Sequence, residues 1–131
     1  MREVLEKLLE KSYAPYSKYN VSAICVMNDG KMIGGVNIEN ASYGATICAE
    51  RVAIFKAISM GYKKGDFKEL HIMVNSDKIG TPCFMCRQVF TEFFNRDMKV
   101  YMYSKVDMME KTVEELCPYP FDESNLWEVE Q

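Results

Sequence analysis

The chain has 131 residues, 48% of them apolar, and a formal net charge of −3. That length and apolar share suit one domain, spanning 1–131, whose single core needs no disulfide to fold. The acidic balance argues against a nucleic-acid partner, and no 18-residue apolar stretch is present to span a membrane.

The opening residues, M-R-E-V-L-E-K-L-L-E-K, are charged throughout and lack a signal-peptide core, so a cytoplasmic protein is expected. Val4, Leu5, Leu8 and Leu9 recur at helical spacing, which predicts a helix over 3–12. Pro15 forbids its smooth continuation, and A-P-Y-S-K-Y-N reads as a loop. Residues 21–27 are rich in β formers and predict a strand. N-D-G-K at 28–31 is a hairpin signal, and 31–38 follows as the partner strand. Gly34-Gly35 within it marks a bulge or a close backbone approach. The polar stretch 39–46 is a long turn into a helix over 48–60, with Thr46 or a neighbour as its cap and Gly61 and Gly65 bracketing its end. A strand over 69–75, a loop over 76–82 and a helix over 83–95 opened by Pro82 come next. A strand over 99–103 and a short helix over 112–116 complete the pattern. From Asp122 the chain is acidic and reads as a loose tail, 122–131. The order predicts an α/β layered domain with a mixed sheet: an antiparallel hairpin, then parallel strands joined by the two helices.

The five cysteines are Cys25, Cys48, Cys83, Cys86 and Cys117. An odd count in a chain of this kind disfavours a disulfide framework. Cys48 opens C-A-E-R, and Cys83 and Cys86 lie in P-C-F-M-C-R-Q. Both segments put cysteine at a predicted helix N-terminus, where unpaired amides and the dipole favour a thiolate. Cys83 and Cys86 share one helical face, and Cys48 supplies a third sulfur if the two helix starts converge. Three thiolates leave a fourth tetrahedral position open to water, the arrangement of a catalytic rather than a structural zinc site. Such a centre is net negative, so the helix N-termini, Arg51 and, less directly, Arg87 are expected to draw electron density from the sulfurs. Glu50, in the irregular first turn, is placed to carry protons. Phe84 is expected to pack against protein, at the pocket wall or a subunit contact. Cys25, Cys117 and His71 read as structural. A Cys83/Cys86 redox pair remains an alternative, but it leaves Cys48 and Glu50 unexplained, as does a set of inert buried cysteines.

The stretches S-Y-A-P-Y-S-K-Y-N-V, V-N-I-E-N-A-S-Y-G, T-I-C-A-E-R, P-C-F-M-C-R-Q-V and L-C-P-Y-P-F together carry a resemblance to the zinc-dependent cytidine deaminases of the small homotetrameric type. The resemblance implies a three-layer α-β-α fold with a mixed five-stranded sheet. It implies one Zn²⁺ per subunit on Cys48, Cys83 and Cys86, with Glu50 as the catalytic acid and base. Asn37 and Glu39 would hold the ribose hydroxyls of a small nucleoside, and the Ala49 backbone would meet the base carbonyl. Arg51 would contact the sulfurs, while Tyr43 and Phe121 would reach into a neighbouring subunit's site in a homotetramer with shared active sites. The implied reaction is hydrolytic loss of the cytosine amino group from cytidine or deoxycytidine. A deaminase for another aminopyrimidine nucleoside such as blasticidin S, or a non-enzymatic zinc module, are the alternatives. The chain departs from the family's usual residues at Tyr19, where a phenylalanine is common near the base pocket, and at Phe84, where glycine is common.

Overall fold

The computed structural model describes residues 1–129. The sheet has five strands: β1 (Val21–Met27), β2 (Met32–Val36), β3 (Phe67–Val74), β4 (Lys99–Tyr103) and β5 (Met108–Thr112), in the order β2-β1-β3-β4-β5. β1 runs antiparallel to both β2 and β3, β4 runs parallel to β3, and β5 closes the edge antiparallel to β4. The N-D-G-K turn joins β1 to β2, with Gly30 in the left-handed region at φ +91°. The helices are α1 (Arg2–Leu9), α2 (Ala49–Ser59), α3 (Phe84–Phe93), α4 (Val113–Leu116) and α5 (Glu123–Val129).

Alternation along the strands sorts side chains onto two faces. On one, Ile24 and Met73 pack with Leu5 of α1, and Ser22 Oγ donates to the Leu5 carbonyl at 2.9 Å. On the other, Ala23, Cys25, Leu70 and Ile72 join Ala53, Ile54 and Phe90 from α2 and α3 in the main core. Cys25 belongs to that core, where burial pushes its thiol up to about 12. His71 is satisfied between Tyr103 Oη at 2.9 Å and Glu69 Oε1 at 3.1 Å.

Gly34 and Gly35 make the close approach, and the β1–β2 register passes them without a bulge. A Cβ on Gly34 would lie 2.8 Å from Leu8 Cδ2, whereas one on Gly35 would lie 2.6 Å from Ala53 N and 2.8 Å from Ala49 O. The second contact is with helix backbone, which no rotamer change relieves. Gly35→Ala must therefore displace α2, an overpacking penalty of about 3 kcal/mol. The expected result in a thermal melt is a fall of roughly 10 °C in Tm; an unchanged melt would refute the contact.

Several expectations need correction. Thr46 does not cap α2: its Oγ1 accepts from the Asn40 N–H at 3.1 Å, and Cys48 sits at the N-cap without a side-chain cap bond. β5 is an element that periodicity missed. α4 is instead opened by a capping box between Thr112 and Glu115. The segment expected as a loose tail is helical over Glu123–Val129, and the rest of it, residues 130 and 131, lies outside the described residues.

Candidate active site

β2 and β3 run parallel because each is antiparallel to β1, and β3 and β4 are directly parallel. The crossover helices α2 and α3 therefore start from the same edge of the sheet. Cys48 is the N-cap of α2, Cys83 is the N-cap of α3, and Cys86 lies in the first turn of α3. Their three sulfurs fall within 4.8 Å of one another, with Cys48 Sγ and Cys83 Sγ 3.7 Å apart.

The chemistry of this donor set fits a soft divalent cation. Three thiolates so close would repel one another. In the protein alone, a hydrogen bond between the Cys48 and Cys86 thiols relieves that repulsion. The Cys48 thiol is lowered to about 5, first by its hydrogen bond with Cys86, then, against burial, by Arg51 and Cys83. The same hydrogen bond, with burial, raises Cys86. A cation between the sulfurs would replace the shared proton.

Arg51 donates from Nη2 to Cys48 Sγ at 3.4 Å. Burial works against its charge, but the Cys48 and Cys86 sulfurs outweigh it and raise its pKa. Its Nε is buried without a hydrogen-bond partner. Arg87 departs from expectation. Its Nε donates to the Pro82 carbonyl at 2.8 Å, its Nη1 donates to the Leu116 carbonyl at 2.9 Å, and its guanidinium lies 4.6 Å from the centre of the Phe84 ring. One residue past Cys86, it points off the sulfur face and clasps the loop before Cys83 to the 113–121 segment. Phe84 does not pack into the chain: it is 76% exposed and outside the pocket, so the pocket-wall expectation fails.

Glu50 is only 5% exposed. Burial pushes its carboxyl up to about 7, opposed by the amide at the helix start and helped by the negative charge on Cys48. It lines a cavity with Cys48, Cys83, Ala49 and Tyr19, and Asn37 and Glu39 line the same cavity. Ala49 is the first residue of α2, so its N–H is one of the amides a helix leaves unpaired.

Asn37 and Glu39 also have structural partners that the sequence did not reveal. Asn37 Nδ2 donates to the Tyr19 carbonyl at 2.8 Å, while its Oδ1 accepts from the Val21 N–H at 2.9 Å and from Ser12 Oγ. Glu39 accepts from the Tyr16 and Ser17 amides at 3.0 and 3.1 Å and from Ser17 Oγ. Those bonds, the Ser17 hydroxyl first, hold its carboxyl below the ordinary range. Tyr19 lines the cavity with its phenol pushed above the usual range by burial and by the charge of Glu50. Tyr43 and Phe121 lie outside this cavity. Tyr43 is 71% exposed and meets Tyr16 edge-on at 6.0 Å, and Phe121 borders a separate groove beside Phe84 and Arg87.

Three thiols and a buried carboxyl at two convergent helix starts have the build of a catalytic zinc centre. Residues 1–104 match the family described as the cytidine and deoxycytidylate deaminase zinc-binding region. The chain is 43% identical over 122 residues to the cytidine deaminase of Sporosarcina psychrophila, covering 92% of this chain and 88% of that one. It is 45% identical over 113 residues to that of Halalkalibacterium halodurans, covering 86% and 84%. The crystal structure of the cytidine deaminase from Burkholderia pseudomallei superposes with a TM-score of 0.87 at 38% identity, covering 91% of this chain and 94% of that one. The chain belongs to the cytidine and deoxycytidylate deaminase zinc-binding family. Its five-stranded mixed sheet is the one the resemblance implied.

Proposed function

We propose that this enzyme hydrolyses cytidine and deoxycytidine to uridine and deoxyuridine, consuming water and releasing ammonia, with one zinc per subunit. The observation that carries the reading is a buried carboxyl, raised to about 7, sharing one cavity with Cys48 and Cys83 of the three convergent cysteines. Zinc, which Cys48, Cys83 and Cys86 would hold, would supply Lewis acidity. Glu50 accepts the proton that the attacking water gives up, delivers one to N3 of the ring, and passes the next to the departing amino group. The free Ala49 N–H orients the ring carbonyl. Asn37 and Glu39 hold the ribose hydroxyls, and Tyr19 walls the base. Arg51 keeps negative charge on the sulfurs without itself leaving the protonated state.

The working form is a homotetramer in the cytoplasm. Tyr43 and Phe121 are exposed and lie outside their own cavity, which suits a role in a neighbouring subunit's pocket. Exposed Phe84 and Tyr119, which share a groove with Phe121, supply apolar area for such a contact. Three reduced thiols suit a reducing compartment. Among the described residues, no helix is long and apolar enough to cross a membrane.

A steady-state panel of cytidine, deoxycytidine, cytosine and blasticidin S, with zinc measured in parallel, tests the reading. Both nucleosides should lose their absorbance. Cytosine should react poorly, because a free base leaves Asn37 and Glu39 unused. Turnover of blasticidin S alone would overturn the substrate assignment, and bound zinc without any turnover would mark a non-enzymatic module.

A further inference from the structure

The proposed reaction has Tyr19 wall the base but gives no part to the apolar and small residues that line the cavity with it. Tyr19, Val21, Ile72, Val74, Gly80 and Thr81 all belong to the cavity wall. Within it, Tyr19 and Gly80 fit each other closely. A Cβ built on Gly80 would fall well inside contact distance of Tyr19 Oη and 2.9 Å from Val74 Cγ1, whereas Tyr19 Cζ would be 3.5 Å away. Of Tyr19, the oxygen and not the ring meets a side chain at 80, and Val74 Cγ1 crowds it from another side. Gly80 also lies outside the left-handed region, so its backbone conformation does not call for glycine. A side chain at 80 would have to displace both the Tyr19 hydroxyl and Val74.

The orientation set by the proposed function, on which this inference rests, decides what meets that wall. With the carbonyl at Ala49, N3 and C4 at Glu50 and the sulfurs, and the ribose at Asn37 and Glu39, the ring edge left over is C5–C6. We propose that the Tyr19 hydroxyl, seated against Gly80, sets the room beside that edge, so that this pair decides which C5 substituents the enzyme admits. The oxygen occupies about the volume of a methyl group. Removing it opens the space that a C5 methyl needs, and one methyl-sized group in a tight pocket is worth roughly 10-fold or more in discrimination.

The test uses four full-length, zinc-loaded proteins: wild type, Tyr19→Phe, Gly80→Ala and the double variant. Each is assayed for kcat/KM on cytidine and on 5-methylcytidine, with Tm and zinc content measured alongside. Tyr19→Phe should raise the 5-methylcytidine to cytidine ratio about 10-fold. Gly80→Ala should lower kcat/KM on both substrates and lower Tm. The double variant should recover part of both losses, because the new methyl then meets Tyr19 ring carbon at ordinary contact distance and only the Val74 contact remains tight. A ratio unchanged within twofold in Tyr19→Phe would overturn the proposal, as would a double variant no better than Gly80→Ala. If Gly80→Ala does not fold, the ratio in Tyr19→Phe still decides. Wild-type turnover of neither substrate would instead refute the deaminase function itself.

Discussion

Glu50→Gln is expected to leave zinc bound and the fold intact while lowering kcat for cytidine by about 10²–10⁴-fold, the range for losing a general acid and base. Glutamine keeps the shape and polarity of the side chain but cannot hold or release the proton. Glu50 is suited to both tasks because burial brings its carboxyl up to about 7, near the operating pH. The substitution also removes a charge from a buried position, so stability should hold or rise. Zinc content by atomic absorption and Tm keep the outcome interpretable. A variant with normal zinc and kcat within tenfold of wild type would refute the assignment of Glu50.

Cys83→Ser separates metal binding from folding. Cys83 is exposed, whereas Cys86 is fully buried and would confound the two. Exposed substitutions usually change stability by no more than about 0.5 kcal/mol, so the metal-free wild type and the metal-free variant should melt together. With zinc present, only the wild type should gain stability, since a ligand that binds the native state raises Tm by mass action. Zinc affinity should fall by more than about 100-fold, because losing even an outer-shell partner costs 10–100-fold. Activity should vanish with the metal. Equal zinc stoichiometry in the two proteins would place the metal elsewhere.

The sequence exposed most of the frame for a physical reason: β1 and β4 are short apolar runs with clear boundaries, and they fall where periodicity puts them. β5 was hidden because M-M-E-K-T is a partly exposed edge strand whose polar side masks any alternation. It was legible only through family resemblance. The convergence of Cys48 with Cys83 and Cys86 followed from two helices starting at one sheet edge, a topological inference that needs no distances. Contacts across loops were a different matter. Arg87 lies beside a cysteine in sequence, yet its guanidinium serves two carbonyls, one of them at Leu116. The fit of Tyr19 to Gly80 joins positions 61 residues apart in the chain, and nothing local in either loop signals it.

The bonds that Asn37 and Glu39 make to residues 12–21 have a consequence for the thermodynamics of recognition. The Tyr13 and Glu39 amides add a backbone bridge between the same segments, at 3.0 and 2.8 Å. The rim proposed to meet the sugar is therefore ordered by the protein's own hydrogen bonds before any ligand arrives. Its conformational entropy is lost once, when the chain folds, and is not charged again to each encounter. The rim behaves as a preset collar, not as a closing lid, and a small polar nucleoside can be held there by few contacts.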